Sequence, residues 1–170
     1  MQDQQILMGV DPGKTGAIAF VLRDTATGST KFLHAIPMPV VKTNKRTEID
    51  HVALARDLDD YLGELGSIHG YVHRCVIERV GAMPKQGVSS SFDFGRSFGT
   101  VIGLVAAHMI PVTFVVPGVW KKAHGLIGKG KDASRVRASE LWPASSGNWS
   151  RVKDDGVAEA ALIATWGAVD

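Results

Sequence analysis

The segment ILMGVDPGKTGAIAF, residues 6–20, sets one acidic side chain, Asp11, between two apolar runs. Its Gly-Lys-Thr tail invites comparison with a phosphate-binding loop, which needs a glycine, four residues, then Gly-Lys and a Thr or Ser. Gly9 and Gly13 have three residues between them, and a turn of fixed geometry does not absorb the missing one. The segment reads instead as a buried strand, Ile6 to Val10, joined by an Asp-Pro-Gly-Lys-Thr turn to a second strand, Gly16 to Leu22. Asp11 then stands at a strand end with the turn as its support. The plainer alternative is that Asp11 merely opens the turn.

Outward from this hairpin, KFLHAI (31–36) continues an antiparallel meander as a third strand. PMPVVKTNKRTE (37–48) reads as a loop, since two prolines and a basic cluster disfavour regular structure. A helix is expected from Asp50 to Leu65, with Val52, Ala55, Leu58, Leu62 and Leu65 as its apolar stripe. YVHRCVIE (71–78) is a fourth strand ending on Glu78. Serines 89–91 are expected to cap a helix that runs to Ile110 and stops at Pro111. That helix is apolar around most of its circumference, which predicts burial on more than one side. Gly95, Gly99 and Gly103 at four-residue spacing would permit close backbone approach. VTFVV (112–116) is a fifth strand, 117–141 a basic helical region, WPASSGNW (142–149) a loop, and 155–166 a last helix. A meander followed by helix-alternating strands predicts an α/β fold: one domain over 1–170, a mixed five-stranded sheet with helices on both faces.

With 45% hydrophobic and 21% charged residues, the chain can build a sizeable core. A single cysteine, Cys75, excludes an internal disulfide and a cysteine-based zinc cage. The N-terminus shows no basic region followed by an apolar one. The longest near-apolar stretch, 98–110, is too short for a bilayer, which needs roughly 20 residues. A soluble, intracellular protein is expected. The net charge is +2, but unevenly placed. Residues 117–137 carry six cations against Asp132, and 48–64 carry six acids against Arg56. Such segregation points to a face for a polyanion, or else to two solvated surfaces.

Glu78 ends a strand as Asp11 does, and Asp154, Asp155 and Glu159 open the last helix. Asp155 and Glu159, four apart, share a helix face that continues into Leu162 and Trp166, while Asp154 points roughly 100° away. Acids in line with a core-facing stripe need partners, because carboxylates are almost never buried unpaired. Oxygen donors of this kind suit Mg²⁺ or Mn²⁺, and two such ions about 4 Å apart are a standard device for phosphodiester cleavage. Individually each acid has a plainer role: strand end, helix cap, or surface charge.

GVDPGKTGAIAF, CVIERVGAMPKQGVSSSFDFGRSFGTVIGLVAA and KDDGVAEAALIATWG together resemble the RuvC-type Holliday junction resolvases, in a form like those of phages. The resemblance runs from Ile6 to Gly167 and rests on the order and spacing of the motifs. It implies a ribonuclease H-like fold, a homodimer, and Mg²⁺-dependent cleavage of branched DNA in the cytoplasm of a bacterial or phage-infected cell. Asp11, Glu78, Asp155 and Glu159 fall on the four metal-holding carboxylate positions. The family commonly has two aspartates three apart at the end, where this chain has Asp155 and Glu159, with Asp154 as the alternative to Asp155. Gly81-Ala82-Met83 stands where the family tends to carry an aromatic wedge, and the first aromatic residue after it is Phe92.

Lys121, Lys122, Lys129 and Lys131 flank Gly125, Gly128 and Gly130, where flexible backbone lets lysines reach a phosphate backbone. With Arg135, Arg96 and Phe92 they are the expected DNA contacts. By analogy with the family, Lys129 or Lys131 would also stabilise charge at the scissile phosphate. Lys42, Lys45 and Arg46 form a second possible contact loop. Asp93-Phe94-Gly95 matches a kinase metal motif, but the Gly-rich and His-Arg-Asp loops of a kinase are absent. Of the six histidines, His124 lies inside the basic segment and the others show no ligand-like clustering. The expected activity is therefore a Mg²⁺-dependent endodeoxyribonuclease acting on four-way junctions. Its alternatives are a ribonuclease H-like nuclease acting on RNA or non-junction DNA, an ATP-binding phosphotransferase, and a non-catalytic DNA-binding scaffold.

Overall fold

A computed structural model describes residues 3–43, 46–81 and 87–167. Lys45, and Ala82 and Met83 of the stretch where a wedge would stand, lie outside the described residues. The meander forms as expected: β1 (Gln4–Asp11), β2 (Ala17–Asp24) and β3 (Thr30–Pro37) pair antiparallel. β6 (Val72–Glu78) lies parallel to β1, and β7 (Val112–Val115) parallel to β6. The sheet order is β3-β2-β1-β6-β7.

Both faces of this sheet are covered, which is why its central strands are apolar runs rather than alternating ones. Ile6, Met8, Val10, Ile18 and Phe20 face one core, shared with α1 (His51–Ile68) and α2 (Val88–Ala107). Leu7, Ala17, Ala19 and Val21 face the other. There they meet α3 (Pro117–Ala123), α4 (Ala133–Leu141) and α5 (Asp155–Thr165).

Several expectations are corrected. The segment read as a loop at 37–48 contains β4 (Val40–Lys42) and β5 (Thr47–Ile49), a separate two-stranded hairpin. Strands of three residues are too short to show periodicity. In α1 the buried stripe is Leu54, Leu58 and Leu65, while Val52 is exposed, and Asp50 caps the helix by accepting from the Ala53 N–H. α2 begins at Val88 after Gly87, so the serines at 89–91 lie inside its first turn instead of capping it. Its fully buried residues are Ser97, Val101 and Val105, a single face. Among the described residues, nothing beyond the helix's own backbone lies within 4 Å of where a side chain at Gly95, Gly99 or Gly103 would stand. The stretch 142–149 is a 3-10 turn at Pro143–Trp149, in which Trp149 meets Phe32 edge-on at 5.1 Å. Among the described residues no helix is long and apolar enough to cross a membrane.

Two glycines bring α5 to the first hairpin. A side chain at Gly9 would strike the backbone of Ala160 and Ala164, so α5 rests directly on β1. A side chain at Gly156 would strike the Thr15 carbonyl, so the start of α5 rests on the turn after Asp11. From Gly156 to Thr165 every residue is buried except Glu159. The helix is thus seated on all sides but the one that carries its acid.

Candidate active site

β1 and β6 are neighbouring interior strands that run parallel and finish at the same end of the sheet. Val10 pairs with Ile77, so Asp11 and Glu78 are each one residue beyond that pair on adjacent strands. Val10 and Ile77 point into the α1/α2 core, and alternation turns the two acids toward α5. The turn holds Asp11: its Oδ1 accepts from the Gly13 N–H at 3.3 Å, and the Gly16 N–H closes the turn on the Gly13 carbonyl at 2.9 Å.

Burial, followed by the nearby Glu78 charge, raises the Asp11 pKa to about 7, with Glu159 adding to the rise and Gly13 and Lys121 opposing it. Burial also raises Glu78, against the opposing Trp120 N–H donor; the Glu159 charge raises it further and Lys121 lowers it. Asp11, Glu78 and Glu159 therefore form one electrostatic group, with Lys121 as its cation. Lys121 Nζ lies 3.3 Å from a Glu159 oxygen, which also accepts from Ser134 Oγ at 3.1 Å.

These acids border a cleft of about 520 Å³ lined by Asp11, Thr15, Lys121, Lys129, Lys131, Asp155 and Glu159, among others. Glu78 is not part of that lining; it stands beside Asp11, tied back by Trp120 Nε1 at 2.8 Å. Asp155 reaches the cleft but is ion-paired with Arg135 Nε. Asp154 is turned elsewhere: its carboxylate accepts from the Arg151 backbone N–H at 3.1 Å and from the Arg151 guanidinium at 2.9 Å. That bond holds its carboxyl below the usual range.

Among the described residues, no three His, Cys, Asp or Glu side chains gather closely enough to hold a metal ion as they stand. Asp155 is engaged by Arg135, and Glu159 by Lys121 and Ser134. The donor chemistry still fits a hard divalent cation. All the donors are carboxylate oxygens, and Asp11, raised first by desolvation and then by the charges of Glu78 and Glu159, is a carboxyl that a cation would relieve.

The expected DNA contacts fall in three places. Lys129 and Lys131 line the cleft, as does Lys121, while Lys122 is exposed outside its lining. Arg135 is held by Asp155. Phe92 is exposed on α2, and Arg96 pairs with Glu48 at 2.9 Å and less closely with Asp93. Arg46 of the second loop also meets Asp93, so these two arginines tie the β4–β5 hairpin to α2. His124 is buried, its Nε2 2.9 Å from the Leu162 carbonyl, and joins α3 to α5. Sequence reasoning missed Trp120, Ser134 and Thr15. Of these, Trp120 left a signal: an indole in a lysine-rich helix must find an acceptor if buried.

No protein-family model matches the chain, and no match is found among curated proteins. Solved structures do match. Thermus thermophilus RuvC in complex with a Holliday junction substrate aligns with 97% of this chain and 94% of its own, at a TM-score of 0.62 and 16% identity. A second Thermus thermophilus RuvC structure aligns with 96% of this chain and 98% of its own, at 0.59 and 19% identity. The human cytomegalovirus terminase nuclease domain aligns with 95% of this chain and 82% of its own, at 0.53 and 14% identity. The chain therefore has a ribonuclease H-like fold, the one it shares with RuvC resolvases and with a viral terminase nuclease.

Proposed function

We propose that this chain is a divalent-metal-dependent endodeoxyribonuclease that cuts Holliday junctions or other branched DNA as a homodimer. The observation that carries the reading is the joining of Asp11, Glu78 and Glu159 at one end of the sheet, beside a cleft lined by Lys121, Lys129 and Lys131. Lysines at the cleft attract a phosphate backbone, and acids beneath them would repel it unless a cation intervened.

A bound Mg²⁺ or Mn²⁺ would supply Lewis acidity at the phosphodiester and a more acidic attacking water. Asp11, Glu78 and Glu159 would hold it, with Asp11 central and Asp155 completing a site for a second ion. Lys129 and Lys131 would position the strand by its phosphates. Lys121, whose charge already reaches Asp11, Glu78 and Glu159, is better placed than either to offset charge at the scissile phosphate. Arg135 would leave Asp155 for a phosphate when DNA arrives, freeing that carboxylate. The exposed side of α2, with Val88, Phe92 and the glycines at 95, 99 and 103, is the candidate dimer face.

The test is digestion of a synthetic four-way junction, the matching linear duplex and an RNA–DNA hybrid, each with Mg²⁺, Mn²⁺ or EDTA. Paired cuts in the junction with either metal, and none with EDTA, are expected. Preferential cutting of linear duplex would favour the second reading, a nuclease for non-junction DNA, to which the similarity to a terminase nuclease domain lends support. Preferential cutting of the hybrid would favour an RNA substrate.

A further inference from the structure

Trp120 is fully buried, and its indole bonds to Glu78 from 42 positions away in the chain. Two other buried indoles show the usual arrangement: Trp142 donates to the Thr30 hydroxyl at 3.2 Å and Trp149 to the Ser139 hydroxyl at 2.9 Å. Trp120 donates to a carboxylate of the acidic group instead.

We propose that Trp120 is the positioning residue of the acidic site, its N–H edge fixing Glu78 and its ring face fixing Lys121. The N–H holds Oε1 at 2.8 Å and leaves Oε2 as the oxygen free to turn to Asp11 and a cation. Lys121 Nζ sits 5.1 Å from the centre of the Trp120 ring and reaches Glu159 at 3.3 Å. One turn later, His124 meets the Trp120 ring edge-on and bonds to α5 through the Leu162 carbonyl. Three side chains of this short segment thus set the spacing between the end of β6 and the exposed acid of α5. A buried indole needs an acceptor whatever its role; what sets Trp120 apart is that its acceptor is a carboxylate of the acidic group rather than a hydroxyl. Hydrogen bonds from neighbouring groups orient metal ligands, and their loss commonly costs 10–100-fold in metal affinity.

This inference rests on Glu78 being a cation ligand, and the experiment separates the two claims. Mn²⁺ binding to the full chain is measured without DNA, for wild type, Trp120→Phe and Glu78→Gln. Phenylalanine keeps an aromatic ring in the core and removes the N–H. Wild type should bind, Glu78→Gln should lose binding, and Trp120→Phe should bind about 10-fold or more weakly. Four-way junction affinity in EDTA should be unchanged in Trp120→Phe. Its cleavage should need more metal for half-maximal rate and approach the wild-type rate at saturation, a split that loss of packing alone would not produce. Trp120→Phe binding Mn²⁺ as tightly as wild type, beside a defective Glu78→Gln, would overturn the positioning role alone. Failure of wild type to bind would overturn both claims. Should Trp120→Phe fail to fold, fluorotryptophan-labelled wild type and Glu78→Gln are compared by fluorine NMR. One tryptophan resonance should move both on adding Mg²⁺ to wild type and on substituting Glu78 without metal. No resonance common to the two responses would overturn the proposal.

Discussion

At Asp11, a half-buried carboxyl at the cleft sits among like charges, so the free protein carries a cost that a proton or a cation relieves. Its pKa, raised to about 7 from 3.8, means that its contribution to stability is complete below pH 4 and is lost as pH climbs through 7. Asp11→Asn keeps an oxygen for the Gly13 N–H and removes the charge. In EDTA at pH 8 it should melt several degrees above wild type, with the gain shrinking toward pH 4 and Mg²⁺ narrowing it by stabilising wild type. A lower melting temperature than wild type at pH 8 would contradict the burial of this charge. Asp154 and Asp155, adjacent in sequence, should part company: Asp154→Asn loses its ion pair with the exposed Arg151, with a small loss of stability and little loss of cleavage. Asp155→Asn should lower Mg²⁺-dependent cleavage by orders of magnitude with its melting temperature kept. The reverse pattern in cleavage assays would place the wrong acid in the cleft. Helical spacing anticipated that Asp154 and Asp155 would diverge, but Asp154 ends a 3-10 turn before α5 and is turned by its bonds to Arg151, and the capture of Asp155 by Arg135 depends on where α4 docks.

Among the elements, α5 is the one whose seating decides the site. Its backbone lies against Gly9 and Gly156, so Gly9→Ala should force helix and sheet apart, cost about 3 kcal/mol and reduce cleavage by displacing Glu159. Urea unfolding checks the first effect and junction cleavage the second; an unchanged midpoint would mean α5 is not packed on β1 as described. β1, β2 and α5 were legible because buried apolar runs bounded by turn residues admit few readings. The β4–β5 hairpin was hidden by its three-residue strands and by the two prolines, Pro37 and Pro39, just before it. α2 misled for a different reason: an apolar helix reads as buried, yet among the described residues one of its faces stays exposed. The joining of Asp11 and Glu78 could be anticipated from matched strand ends. Trp120 left only the signal of an indole in need of an acceptor if buried; nothing in the sequence says that the acceptor is Glu78.

For the molecule as a whole, the acids lie at one end of the central strands beside a lysine-lined cleft, and among the described residues α2 leaves an apolar and glycine-bearing face exposed. A four-way junction has approximate two-fold symmetry, so paired cuts call for a two-fold enzyme. Sedimentation at micromolar concentration should find a dimer, and only monomer with and without junction DNA would contradict this. The central claim is that carboxylates at the ends of β1 and β6, with Glu159, make this fold a junction nuclease. Its most direct test is the rate of four-way junction cleavage in Mg²⁺ by wild type and by Glu78→Gln, with junction affinity measured alongside. The account predicts symmetric cuts by wild type, and in Glu78→Gln the loss of cleavage with binding intact or improved. Near-wild-type turnover by Glu78→Gln would contradict it.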